Sequence, residues 1–180
     1  MEMKEVKVYA RAGQGAITTA VILGSAYFKQ GMYSYAFPHF GAARMGAPMN
    51  AFIRIDKNPI RVRSRIYNPE IALVIDSTLM DSQNVFGEVK EGGIVIVNSS
   101  NGIIPKSGVK LYAIPGNEIA QEVMGRPLGN TAILGAYAAI AGEPDIENLK
   151  AAIKERFKGE VGEKNALCAQ KGYEYGLKLK

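Results

Sequence analysis

The stretch Glu5-Val6-Lys7-Val8-Tyr9-Ala10-Arg11-Ala12-Gly13-Gln14-Gly15-Ala16, running on through an apolar segment to Phe28, decides the fold. Val6, Val8 and Ala10 recur at every second position, the period of a strand with one face inward. Gly13-Gln14-Gly15 then breaks the alternation, and the long apolar run from Ala16 reads as a helix, closed by Gly31 as its C′ residue. Strand, glycine turn and helix in that order open an α/β unit. Beyond it, residues 33 to 37 read as a second extended piece ending at Pro38, followed by an aperiodic loop from His39 to Gly46. Residues 49 to 55 and 60 to 66 are strand-like and joined by the turn signal Asp56-Lys57-Asn58-Pro59, which predicts a hairpin.

Further along, residues 71 to 75 and 94 to 97 are β-branched and aliphatic runs without polar alternation, the pattern of parallel strands covered on both faces. They end in Asp76-Ser77-Thr78 and Asn98-Ser99-Ser100, polar groups suited to strand carboxyl ends beside a crevice. Residues 110 to 114 are another strand candidate, with Pro115-Gly116-Asn117 starting a helix. The last third is helical. An alanine-rich helix runs from Thr131 to Ala141 and stops at Gly142, with Asn130 as its expected N-cap. Pro144-Asp145 starts an amphipathic helix bearing Ile146, Leu149, Ile153 and Phe157, and a final helix over 163 to 179 puts Ala166, Tyr173 and Leu177 near one stripe. The expected fold is a single α/β domain over residues 1 to 180, with a mostly parallel, Rossmann-like sheet, an added hairpin and C-terminal helices.

At 180 residues with 47% hydrophobic composition, the chain can bury a core of ordinary size. No run approaches the about 20 apolar residues of a membrane span, and residues 1 to 7 read as charges leading into a strand, so we expect a cytoplasmic protein without membrane contact. The formal charge of +5 raises the question of nucleic acid. Its charges are dispersed, no zinc-finger or RRM-type spacing occurs, and nucleic acid is not an expected partner. The densest group, Arg61, Arg63 and Arg65, shares one face of an extended segment; it is either a solvated face or a meeting surface for phosphates or an acidic subunit.

Individual motifs exclude more than they establish. Gly13 and Gly15 allow close backbone approach to an anion at a helix start, or simply a tight turn. The third glycine of a dinucleotide fingerprint is missing, no acid stands between Glu5 and Asp56 to hold a ribose, and there is no P-loop lysine. His39, the one histidine, reads as a loop residue packed among aromatics rather than an acid–base group. The single cysteine, Cys168, cannot hold an iron–sulfur cluster alone and reads as a small core residue. No paired metal ligands occur, and Arg44, among small residues, either grips an anion or faces solvent.

Taken together and in order, Arg11-Ala12-Gly13-Gln14-Gly15, the segment from Ala36 to Gly41, Arg44-Met45-Gly46-Ala47-Pro48, Phe52-Ile53-Arg54-Ile55-Asp56, Pro59-Ile60-Arg61, Gly125-Arg126-Pro127, the segment from Asn130 to Ala136 and Glu163-Lys164-Asn165 resemble the gamma subunit of pyruvate and related 2-oxoacid:ferredoxin oxidoreductases. The chain departs from that pattern at Ala10 and Ala12, where the family has glycines, and at Ala43 and Met45, where it has an acid and a second arginine. The resemblance implies a multisubunit enzyme that decarboxylates a 2-oxoacid, pyruvate first among them, forms acyl-coenzyme A and reduces ferredoxin. It implies alpha, beta and delta-type partner subunits, with thiamine diphosphate, Mg and 4Fe-4S clusters on or with those partners. This chain has neither the G-D-G thiamine motif nor cluster cysteines and would not be catalytic alone. Its expected share is to shape the site and help bind coenzyme A, through Arg11, Gly13, Gln14, Gly15, Arg44, Gly46, Asn130 and Thr131. The alternative is a free-standing α/β nucleotide- or anion-binding module.

Overall fold

The computed structural model describes residues 3–39, 45–105 and 108–180. In chain order the elements are β1 (Lys4–Arg11), α1 (Ala16–Lys29), β2 (Tyr33–His39), β3 (Pro48–Asp56), β4 (Ile71–Val74), α2 (Leu79–Ser82), α3 (Val85–Glu88), β5 (Ile94–Asn98), β6 (Lys110–Ile114), α4 (Gly116–Met124), α5 (Asn130–Ala141), α6 (Ile146–Arg156) and α7 (Gly159–Leu179). The strands form one six-stranded sheet in the order β2-β3-β1-β4-β5-β6. β1, β4, β5 and β6 are mutually parallel, while β3 runs antiparallel to both its neighbours, β1 and β2. The expected α/β class, with a mostly parallel sheet, an antiparallel pair and C-terminal helices, is the observed one.

Alternation along β1 places the sheet between two cores. Val6, Val8 and Ala10 face the larger one, packed with Leu23 and Tyr27 of α1, Leu134 and Tyr137 of α5 and Ile153 of α6. Tyr9 faces the smaller one, with Leu79, Met80, Val85 and Phe86 of the short helices. β4, and β5 up to its last residue Asn98, lack polar residues because each contributes to both: Leu73 and Ile96 to the first, Val74 and Val97 to the second.

The predicted hairpin is corrected in its second arm. β3 pairs with β2, from Tyr33↔Asp56 to His39↔Asn50, and residues 60 to 66 form no strand. Their alternation suits a strand, but Arg54 takes over their carbonyls. Its side chain, 2% exposed, donates to the Ser64 carbonyl at 2.7 Å and to those of Val62 and Arg65 at 3.4 Å, and pairs with Glu5 at 2.7 Å. Side-chain bonds thus replace a ladder, and the segment crosses the sheet face as a strap.

The helix stops are where local chemistry puts them. Gly31 and Gly142 adopt left-handed φ of 83° and 76°, and Asp145 caps α6 by accepting from the Glu147 and Asn148 amides at 2.8 and 3.4 Å. α5 departs from expectation: Gly129, not Asn130, is its N-cap, and Asn130 is the first helical residue. α7 also begins earlier than expected, with Ala166 and Tyr173 of the expected stripe against the larger core but Leu177 exposed. Gly162, Ala166, Ala169, Gly172 and Gly176 face inward; α5 comes too close for side chains at Gly172 and Gly176, and the end of α6 does the same at Gly162.

Candidate functional site

After β1 the chain crosses to α1 on one face of the sheet, and after β4 it turns to α2 and α3 on the other. Adjacent parallel strands whose connections diverge open a crevice at their carboxyl ends, the position where α/β sheets receive ligands. Gly13-Gln14-Gly15 sits at this point. Gly13 and Gly15 have φ of 98° and 83°, which side chains rarely adopt. A Cβ on Gly13 would lie 3.2 Å from the Met45 sulfur, and one on Gly15 3.1 Å from Asn130 Nδ2. The backbone angles therefore favour glycine, while the neighbouring side chains would have to give by a few tenths of an ångström to admit a Cβ. α1 starts without a side-chain cap or an acid in its first turn, which leaves its positive end open to an anion.

A hydrogen-bonded chain locks the turn to β4. The Arg11 amide donates to Gln14 Oε1 at 2.7 Å, and Gln14 Nε2 donates to Asp76 Oδ2 at 2.8 Å. Arg11 itself is fully engaged: Nε lies 3.3 Å from Asp76 Oδ2, Nη2 donates to Thr78 Oγ1 at 2.8 Å and Nη1 to the Gly46 carbonyl at 3.1 Å. Residues 45 to 47 are further tied to the turn by Ala12 and Ala47, amide to carbonyl, at 2.9 Å. Arg11 is thus a staple between three segments, and Gly46 is one of its anchors. Asp76 belongs with them although the sequence reading names it only as a polar strand end.

Burial alone would raise the Asp76 pKa, but bonds from the Thr78 hydroxyl, Gln14 and the Thr78 amide, with the Arg11 cation, outweigh it and hold the carboxyl below its usual range. A depressed folded pKa contributes stability that is present above the unfolded value and lost as the pH falls through the folded one. Asp76→Asn is therefore expected to be less stable than wild type at neutral pH, with the gap closing in acid. Denaturant titrations at several pH values check this; a gap constant with pH would remove the carboxylate's charge from the account.

Beside the turn lies a cavity of about 460 Å³, within the range of ligand pockets. Gly13, Gln14, Gly15, Thr18 and Asn130 form one wall. Met124, Arg126 and Leu128, with Phe157, Glu160, Val161, Lys164 and Asn165 around α7, form the other. Lys164 pairs with Glu160 at 2.6 Å on the rim. Asn130 Nδ2 donates to Thr19 Oγ1 at 3.4 Å across the α1–α5 junction. Thr131 does not reach the cavity: it is fully buried, and its hydroxyl donates to Asn165 Oδ1 at 3.2 Å, orienting that lining amide. Arg44 lies outside the described residues. Arg126, Lys164 and Asn165 stand in segments that carry the resemblance, yet nothing in their local sequence marks them as ligand-facing, because α7 has to pack against α5 and α6 before they meet Gly13.

Other groups take structural roles. His39 stacks against Phe52 with centroids 6.3 Å apart, and burial first, then the Arg65 and Lys7 cations, hold its imidazole below the usual histidine range. Cys168 is buried with Ala120 and Ala132, and burial pushes its thiol up to about 11. Among the described residues, no His, Cys, Asp and Glu come together in a group able to hold a metal ion.

This fold and site have known relatives. The family described as pyruvate ferredoxin/flavodoxin oxidoreductase matches residues 5–175. The chain is 46% identical over 178 residues to pyruvate synthase subunit PorC of Methanothermobacter thermautotrophicus, covering 99% of this chain and 98% of that one. It is also 46% identical to the pyruvate/ketoisovalerate oxidoreductases common subunit gamma of Pyrococcus furiosus, covering 96% of each. The crystal structure of pyruvate oxidoreductase subunit PORC from Thermotoga maritima superposes with a TM-score of 0.84 at 33% identity, over 97% of both chains. The 2-oxoglutarate:ferredoxin oxidoreductase of Magnetococcus marinus, solved with 2-oxoglutarate, coenzyme A and succinyl-CoA bound, shares the fold at a TM-score of 0.83 and 21% identity, over all of this chain and 32% of that one. With a family match along nearly its whole length and relatives of equal length, the chain belongs to the pyruvate ferredoxin/flavodoxin oxidoreductase family, as a gamma subunit.

Proposed function

We propose that this subunit supplies the coenzyme A seat of a cytoplasmic oxidoreductase that converts pyruvate to acetyl-coenzyme A and CO2 while reducing ferredoxin. Alpha, beta and delta-type subunits would complete the complex and hold thiamine diphosphate with Mg and the 4Fe-4S clusters, which supply decarboxylation and single-electron transfer. The chain's own residues fit a different share. The carrying observation is the cavity beside the Gly13–Gly15 turn, which combines an uncapped helix start, the cations Arg126 and Lys164, and an apolar wall from Leu128, Phe157 and Val161. Phosphate oxygens suit the cations and free amides, and a heterocycle or pantetheine arm suits the apolar wall. A cavity of this size takes one end of so long a molecule. Arg11, Asp76 and Gln14 keep the turn in shape, and by the family resemblance Arg44 acts on the same ligand.

No helix among the described residues is long and apolar enough to cross a membrane. In the assembled enzyme, Arg126→Ala with Lys164→Ala is expected to raise the KM for coenzyme A by about 10- to 100-fold, the loss of one or two charge-assisted hydrogen bonds. The KM for pyruvate should stay within about twofold, since those cations are assigned to the other substrate. An unchanged KM for coenzyme A would sink the assignment. A rise shared equally by both substrates would mean that the cavity shapes the complex rather than holding this ligand.

A further inference from the structure

The strap between β3 and β4, Lys57-Asn58-Pro59-Ile60-Arg61-Val62-Arg63-Ser64-Arg65-Ile66, carries four cations and no acid, and no acid follows until Glu70. Lys57, Arg61, Arg63 and Arg65 are all exposed, and none of them pairs with a carboxylate among the described residues. The neighbouring acids are occupied: Glu5 by Arg54, and Asp56 by the Asn58 amide at 2.8 Å. Elsewhere on the surface Lys29, Lys90, Lys150, Lys154, Lys164 and Lys171 each find a glutamate, and other cations without a carboxylate partner among the described residues, such as Lys110 and Arg126, stand apart in the chain rather than four within nine residues.

The strap is also held firmly for an irregular segment. Arg54, nearly fully buried, turns its carbonyls inward, and Ile66 is buried at its end. Arg63 lies over the Tyr35 ring at 4.1 Å and donates to the Ile60 carbonyl at 2.8 Å. Partly exposed Val62 and Tyr67, at 44% and 69%, flank the arginines. Arginine and tyrosine on a preformed backbone, with aliphatic surface between them, are the composition of protein interfaces and lose little entropy on docking. A nucleic-acid surface would instead extend a cationic stripe along many phosphates.

We propose that this strap docks onto a carboxylate-rich face of a partner subunit of the oxidoreductase. It lies on the sheet face opposite α1, since Arg54 alternates with Ile53 and Ile55, which pack against that helix. One surface of the chain thereby serves assembly while the turn and cavity on the other side of β1 remain free for ligand. The inference rests on the subunit reading given above.

The test uses the full complex, purified anaerobically through a tag on this chain from its native host. Arg61→Glu, Arg63→Glu and Arg65→Glu together should cut the captured partner subunits by about tenfold or more at moderate salt, with the isolated chain's circular dichroism and melting temperature close to wild type. Should the triple variant misfold, Arg61→Ala with Arg65→Ala, which leaves the Arg63–Tyr35 contact intact, should show the same loss in smaller degree and a shallower salt dependence of assembly. In the wild-type complex, a zero-length carbodiimide should join Lys57 to an Asp or Glu of a partner subunit. Full assembly of the charge-reversed chain, or a Lys57 cross-link to a second copy of this chain alone, would overturn the proposal. Strap-dependent, salt-sensitive binding to unrelated duplex DNA would overturn it in favour of nucleic acid. If the wild-type chain captures no partner at all, the subunit reading itself fails rather than the strap.

Discussion

Arg54→Met is expected to destabilise the fold by about 3–5 kcal/mol, the cost of removing one member of a buried, hydrogen-bonded ion pair. Methionine matches the length of the arginine stem and keeps much of the packing, so the loss is not a cavity effect. What it removes is the one cation paired with Glu5 among the described residues and a donor to the carbonyls of Val62, Ser64 and Arg65. Those part-buried carbonyls would lose their Arg54 donor, with only the Val62 carbonyl keeping another, from Arg63 at 3.3 Å. Urea denaturation should show a lower midpoint, and adding Glu5→Gln should recover part of the loss because the stranded charge is gone. A change below about 1 kcal/mol in the single variant would mean that the strap simply lifts off to solvent. The docking surface depends on the same contacts, so partner capture should fall in parallel with the midpoint.

Gly135→Ala is expected to cost about 2–3 kcal/mol or more, although alanine in place of glycine within a helix ordinarily gains about 1 kcal/mol. The sign reverses because a Cβ on Gly135 of α5 would stand 1.8 Å from the Ala169 carbonyl oxygen of α7. The contact is reciprocal: a Cβ on Gly172 would stand 2.0 Å from the Ala132 carbonyl. Neither atom is the end of a flexible side chain, so the helices themselves must separate. Because α7 carries Lys164 and Asn165 into the cavity, the same substitution should weaken the coenzyme A binding proposed for it without touching a lining residue. Thermal melts and coenzyme A titration of the assembled enzyme check both effects. A variant as stable as wild type would show that the two helices can part without cost.

Both predictions turn on contacts between residues far apart in the chain, and that distance marks where reading the sequence stops. β1, the glycine turn and α1 are legible because alternation, a pair of glycines and an apolar run are local signals, each setting backbone angles within a few residues. The stops at Gly31 and Gly142 and the helix start at Pro144-Asp145 are legible for the same reason. The unalternating runs of β4 and β5 reveal that both faces would be covered, though not by what. The order of loop motifs also identifies the family, because together they are far more specific than any one of them.

Tertiary structure decided what those pieces do. The strand-like alternation of residues 60 to 66 is real, yet β3 pairs with β2, since a buried Arg54 fits the strap's carbonyls better as a clamp than a ladder would. Asn130 has the chemistry of a cap but bridges to Thr19 on α1, and Thr131 faces Asn165 instead of the cavity. Asp76 enters the site because β4 lies beside β1, 62 residues from Gln14 in the chain. Arg126 and Lys164 meet the glycine turn because the small residues of α5 and α7 let two backbones approach within contact. Local periodicity carries no information about such distances; they follow from which faces must be buried together, and that is settled when the helices pack on the sheet.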